Sequence, residues 1–192
     1  MGKAALTVVE LPPIKIVVLD RGFVYIGRVT QTEDITYIDD AQCIRKWGTS
    51  KGLGELSSGP LSSTELDTGG AIRAPMRAVI FTMDVDQDKW AKTIGAHANT
   101  NFAEVLTAPP IRIVVLDRGF VFIGRITEYE DRMYIDDAQC IRKWGTSKGL
   151  GELAGGPLSG TELDVGGAIR APMRAVIFTM DVIQSKWVNT IK

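Results

Sequence analysis

PPIKIVVLDRGFVYIGRV, residues 12–29, returns 97 positions later as PPIRIVVLDRGFVFIGRI, residues 109–126. In the first copy the run Ile14 to Asp20 is rich in β-branched residues and stops at DRG, whose Asp and Gly favour a tight turn. The run Phe23 to Val29 then reads as its hairpin partner. Gly27 falls inside that second run, where a glycine marks a bulge or a sharp bend. A hairpin written twice predicts two β units in one chain.

The repetition extends well beyond the hairpin. Roughly four in five of about 83 aligned positions are identical, without a gap, up to DQDKWAKTI over IQSKWVNTI. A period this long is that of a complete small domain and not of a solenoid repeat. The expected organisation is a first domain at 1–95 (core 12–94), a linker at 96–108 and a second domain at 109–192. In each unit, ITYIDDAQCIRKW follows the polar turn QTED as a third strand, and GTSKGLGELSSGPLSS is a glycine- and serine-rich loop with room for one helical turn at LGELS. TELD, Thr64 to Asp67, reads as a helix-start cap. IRAPMRAVIFTMDV returns to strand character, with Pro75 marking an exposed or bulged beginning. A short helix at DQDKWAKTI, with Asp86 near its start and Trp90 and Ile94 on one face, closes the unit.

The copies differ at Gln31/Glu128, Thr32/Tyr129, Ile35/Arg132, Thr36/Met133, Ser57/Ala154, Ser58/Gly155, Asp86/Ile183 and Asp88/Ser185. These changes fall on the hairpin tip, the glycine-serine loop and one helix face. Ile35 and Arg132 cannot both be core, so that end of the hairpin is expected at a surface or an interface.

Composition bounds the function. The chain has 192 residues, 45% apolar and 23% charged, with a formal charge of −1, the make-up of a globular protein with a packed core. An isoelectric point near 5.9 disfavours a general nucleic-acid binder. The longest apolar runs, such as Ala78 to Phe81, fall far short of the roughly 20 residues of a membrane span, and MGKAALTVVELPP lacks an apolar signal core. A cytoplasmic protein is expected. Cys43 and Cys140 occupy matching positions and are expected as small hydrophobes buried in separate cores, without a bridge. The sole histidine, His97, lies in the linker, so neither a Ser-His or Cys-His pair nor a histidine- or cysteine-based zinc site is available within the repeats. Asp39 and Asp40, with or without Asp20, read as turn formers before cation ligands. No metal, cofactor or enzymatic activity is expected.

VVLDRGFVYIGRV followed by DITYIDDAQCI resembles the first half of an Sm-type module: a bent hairpin with an internal glycine, then a strand ending in an acidic turn. The expected fold class is mainly β: two tandem copies of a small SH3/Sm-like barrel domain, each with a long Gly/Ser-rich loop and a short C-terminal helix. The long GTSKGLGEL insertion departs from the Sm pattern, which puts uridine recognition in doubt. The order GFVYIGRV, DAQCIRKWGTSKGLGELSSGP, an apolar strand and a short Trp-containing helix is similar to a family of small proteins of tailed bacteriophages. That resemblance spans most of each repeat. It implies a phage or prophage accessory protein in the host cytoplasm and assigns no activity.

IRKWGTSKGLGEL, identical at 44–56 and 141–153, is the candidate site. Arg45, Lys46 and Lys51 supply cationic donors, Trp47 a flat face, and Thr49, Ser50 and the amides about the glycines can point at phosphate oxygens. Arg142, Lys143, Trp144, Thr146, Ser147 and Lys148 repeat the set. Arg73 and Arg77 in IRAPMR, with Arg170 and Arg174, would join the site if the proline bend passes near the loop. The spacing is not that of a P-loop. In the alternative reading Trp47 plugs the end of the unit and the glycines only permit a tight loop. The expected function is non-enzymatic sequestration of a small phosphorylated ligand such as a nucleotide second messenger, by a homo-oligomer built on repeat-repeat contacts. A structural component of a virion or other assembly is the alternative, and single-strand nucleic-acid binding with Trp47 and Trp144 as stacking platforms is a third.

Overall fold

The computed structural model describes residues 11–95 and 108–191. The first copy contains β1 (Ile14–Leu19), β2 (Val24–Gln31), β3 (Ile35–Lys46), β4 (Glu65–Pro75), β5 (Val79–Asp84) and helix α1 (Gln87–Ile94). The second repeats the order as β6 (Ile111–Leu116), β7 (Val121–Tyr129), β8 (Arg132–Lys143), β9 (Glu162–Pro172), β10 (Val176–Asp181) and α2 (Gln184–Trp187). The protein is mainly β. Its described strands form one open antiparallel sheet in the order β5-β1-β2-β3-β4-β10-β6-β7-β8-β9.

The hairpin forms where the sequence places it. Ile16 pairs with Ile26, the turn is a 3-10 turn at Asp20–Gly22, and Arg21 takes a left-handed φ of 63° that the Asp20 side chain supports by accepting from the Arg21 amide. Gly27 lies at the shift in register between Ile26 and Arg28. A Cβ there would stand 2.6 Å from the Ile38 side chain and 2.7 Å from the Asp39 carbonyl, so only glycine lets β3 cross this closely. Asp39 and Asp40 lie on the matching bulge within β3, where Asp40 has φ 51° and faces Arg28 at 3.6 Å. The acidic pair bends a continuous strand and does not end it.

Three further expectations are corrected. TELD does not start a helix: Thr64 ties the loop down through bonds to Trp47 O and Leu61 N, and Glu65 opens β4, because β3 already offers it a ladder. Pro75 ends β4 and does not begin the last strand. A 3-10 turn at Met76–Ala78 divides IRAPMRAVIFTMDV into β4 and β5, since proline cannot continue the ladder. Cys43 and Cys140 are free thiols but half-buried, not fully buried. Burial, with Asp67 adding to it, pushes the Cys43 thiol up to about 11.

The two helices start at matching positions and end differently. Asp86 caps α1 by accepting from the Lys89 amide at 3.1 Å, and the helix runs eight residues. Ile183 stands at the same place in the second copy and cannot cap, and α2 is four residues long. Both helices nevertheless deliver a fully buried tryptophan, Trp90 and Trp187. Gln87 and Gln184 bond both backbone groups of Ile14 and Ile111, fixing each helix start to the first strand of its copy.

Each copy has a small apolar cluster of its own, around Ile26, Leu56 and Trp90 in the first and around Ile126, Ile135 and Val176 in the second. The third cluster is shared, joining Val17, Tyr25, Ile38 and Ile72 to Ile113, Phe178, Met180 and Trp187. The apolar core therefore runs through the junction of β4 with β10. No helix among the described residues is long and apolar enough to cross a membrane. His97 and most of the expected linker lie outside the described residues.

Candidate functional site

In each glycine loop a carboxylate of the loop itself accepts from loop amides. A 3-10 turn at Leu53–Ser58 follows Gly52, and Glu55 accepts a short hydrogen bond from the Lys51 amide. In the second copy the turn is Leu150–Gly155, and Glu152 takes the Lys148 amide, the Gly149 amide at 3.1 Å and the Ser147 hydroxyl at 3.5 Å. The bond from Lys148 is the chief reason that Glu152 is held below the usual carboxylate range. One loop amide in the first copy, and two amides with one hydroxyl in the second, are thus occupied by a carboxylate from the same loop. From beneath, the buried helix tryptophan pins the turn: Trp90 donates its indole N–H to Leu56 O at 2.8 Å, and Trp187 to Leu153 O at 2.9 Å.

The second loop also touches the first copy. Gly151 lies against the Thr68 carbonyl of β4 so closely that a Cβ would stand 1.9 Å from that oxygen. A Cβ on Gly149 would reach 2.8 Å from the Asp67 carboxylate, and Gly70 faces Ala154 and the Asp181 carbonyl. Beside the loop, β10 pairs with β4 through Thr179↔Arg73 and Met180↔Ile72. Phe178 enters edge-on between Phe23 and Tyr25, at 5.0 and 5.5 Å between centroids. Arg73 bonds Asp181 at 2.5 Å, Arg112 bonds the same oxygen at 2.7 Å, Arg77 donates to Val176 O at 3.1 Å, and Arg21 pairs with Asp117.

The expected site residues divide accordingly. Arg45 faces Asp67 at 3.5 Å and Lys46 faces Glu65 at 3.2 Å, across the β3-β4 ladder. Arg142 pairs with Glu162 and Asp164, and Lys143 with Glu162. Trp47 is 40% exposed, whereas Trp144 packs against the shared core. Thr49 and Thr146 are half-buried, and Ser50, Lys51, Ser147 and Lys148 are exposed. Arg73 and Arg77 do not join the loop of their own copy. Register sets Arg73 opposite Tyr37 and Lys46 opposite Glu65, roughly 26 Å apart along β4 at the rise of a strand. Both arginines serve the junction. Their twins stand free of it: Arg170 meets Asp136 and stacks over Tyr134 at 4.8 Å, and Arg174 is exposed.

Sequence reasoning missed Phe23, Tyr25, Asp67, Gly151 and Phe178 as a set. Each has a near-identical twin in a different environment, so no local signal separates them. Asp67 shows the difference most sharply, being 4% exposed whereas its twin Asp164 lies open. Burial pushes the Asp67 carboxyl up, Arg45 opposing and Glu152 reinforcing the shift. The folded protein therefore holds this proton to higher pH than the unfolded chain does, so this group's contribution to stability falls as pH rises through that window. Asp67→Asn should match the parent near pH 3 and gain on it progressively toward about pH 7. Urea unfolding of both proteins across that range measures the difference.

Comparison with family models, with curated proteins and with solved structures finds no match.

Proposed function

We propose that this chain is a non-catalytic assembly protein, in which the glycine loop of one copy of the domain docks on the β4-type strand of a neighbouring copy. The observation that carries this reading is the contact of Gly151 with the Thr68 carbonyl, made by the very loop that is written twice. Each five-stranded unit is read as an SH3/Sm-like barrel whose closing edge is given to its neighbour. The phage resemblance makes a virion or another phage assembly in the host cell the natural setting. Sequestration of a phosphorylated ligand ranks below this, because a phosphate would have to displace Glu55 or Glu152 from the loop amides.

A pair of alanine substitutions tests the reading. Neither Gly151 nor Gly54 has a left-handed φ, so alanine is conformationally tolerated at both. Gly54 has nothing within 4 Å of its Cβ position. In the monomeric chain, Gly151→Ala should cost about 1–3 kcal/mol of unfolding free energy by forcing the loop off β4, and Gly54→Ala should be neutral within about 0.5 kcal/mol. Equal effects in chemical denaturation would remove loop docking as the function.

A further inference from the structure

The junction inside the chain joins two unlike surfaces. One is the β4 side of the first copy with the Phe23/Tyr25 slot, and the other is the β10 edge with the glycine loop of the second. Because both copies carry both surfaces, one of each is left unused. The sheet ends at β5, the twin of β10, and at β9, the twin of β4. We propose that these ends join two chains: β5 and the first glycine loop of one chain dock on β9 of a second copy, by the contacts that β10 and the second loop make with β4.

Exposure follows this division residue by residue. Ile177 and Phe178 are 3% and 0% exposed at the junction, whereas Ile80 and Phe81 are 60% and 46% exposed on β5. Phe120, the twin of the slot residue Phe23, is 56% exposed. Val165, standing where Thr68 receives the loop, is 84% exposed. A sheet edge bearing Ile and Phe in the open is a template for another strand unless something covers it.

The polar groups fit as well. Asp84 keeps a bond to Lys15 at 2.9 Å, as Asp181 does to Arg112, and its second side is where Arg170 of another chain would arrive in the role of Arg73. Exposed Arg174 would reach the Val79 carbonyl as Arg77 reaches that of Val176. The substitutions among these positions retain the chemistry: Lys15 for Arg112, Phe122 for Tyr25, and Val165 for Thr68, which contributes its backbone oxygen. Joining unlike surfaces is a heterologous contact, which yields a ring if the rotation closes and a filament if it does not.

This inference rests on the assembly reading, and its experiment leaves the internal junction untouched. The purified chain should form species larger than the monomer at micromolar concentration, measured by sedimentation or native mass spectrometry. Phe81→Asp keeps the β9 surface and Phe120→Asp keeps the β5 surface, and both residues are exposed enough for the chain to fold. Each variant alone should be a monomer with unchanged thermal unfolding of the chain, and a mixture should give one 1:1 dimer and nothing larger. A parent that stays monomeric, or either variant alone forming a symmetric dimer, overturns the proposal. As an independent measure, Thr82→Cys and Arg170→Cys in one chain should give a disulfide ladder on a non-reducing gel, since Thr179 and Arg73 are direct partners at the junction. Absence of the ladder counts against it. If loop docking itself is wrong, Gly151→Ala behaves like Gly54→Ala in the monomeric Phe81→Asp background, where the first loop has no partner chain.

Discussion

Phe178→Ala is expected to remove about 3–5 kcal/mol of stability, the cost of truncating a fully buried phenylalanine where the surroundings cannot collapse. Collapse is prevented here because the ring sits between strands that belong to two ladders, β10 against β6 on one side and β4 on the other. Its two aromatic contacts, at interplanar angles of 76° and 75°, are edge-to-face pairs of the kind worth about 0.5–1.5 kcal/mol each beyond area burial. The same substitution at Phe81 has the same neighbours in sequence and should cost the isolated chain under about 1 kcal/mol. Among the described residues two ladder rungs join the copies, so loss of the Phe178 plug should also uncouple them, turning one cooperative unfolding transition into two. Guanidinium unfolding followed by tryptophan fluorescence and by far-UV circular dichroism reads both effects. Matching losses at Phe178 and Phe81 would mean that the junction does not exist in solution.

That asymmetry also shows where sequence reasoning stops. The hairpin, the bend at Gly27, the helical turn at LGELS and the tryptophan-bearing helix are legible because each is encoded within a dozen residues: alternation, a turn tripeptide, a glycine, a cap. The Asp86/Ile183 difference is visible as a change on a helix face and removes the cap, but both helices start at matching residues and α2 is shorter at its C-terminal end, where Val188 and Asn189 replace Ala91 and Lys92. The start of β4 at Glu65 was hidden because Thr-x-x-Asp is a good local helix start, and the ladder with β3 overrides it. The loop amides invite a phosphate when the stretch is read alone, whereas in the structure Glu55, which lies in the same stretch, accepts from the Lys51 amide. The junction was illegible in principle. Sequences identical from Val79 to Asp84 and from Val176 to Asp181 sit in one case at a sheet edge and in the other in its middle, and that difference comes from where each copy falls in the sheet.

Trp187→Ala and Trp90→Ala should both cost about 3–5 kcal/mol in packing, with a further 1–3 kcal/mol for the buried Leu153 or Leu56 carbonyl left without its indole donor. The two should still differ in kind. Trp90 holds a loop whose outer side is open, so its loss is confined to the first copy. Trp187 holds the loop that lies on β4, and releasing it frees Gly149 and Gly151 from Asp67 and Thr68 as well, so its loss should reach the first copy and lower the apparent pKa of Asp67 by re-exposing it. Trp187→Phe bears on the contributions: an aromatic ring remains, the donor and part of the indole volume go, and the cost should be about 1–3 kcal/mol for the carbonyl plus a cavity cost smaller than that of Trp187→Ala. Hydrogen exchange at the β4 amides distinguishes them directly, with protection falling in Trp187→Ala and unchanged in Trp90→Ala. If β4 responds to neither, the loop is not held on the strand by its own tryptophan. The chain of support from helix to turn to neighbouring strand, by which a four-residue helix stabilises a contact between two copies, would then be broken at its first link.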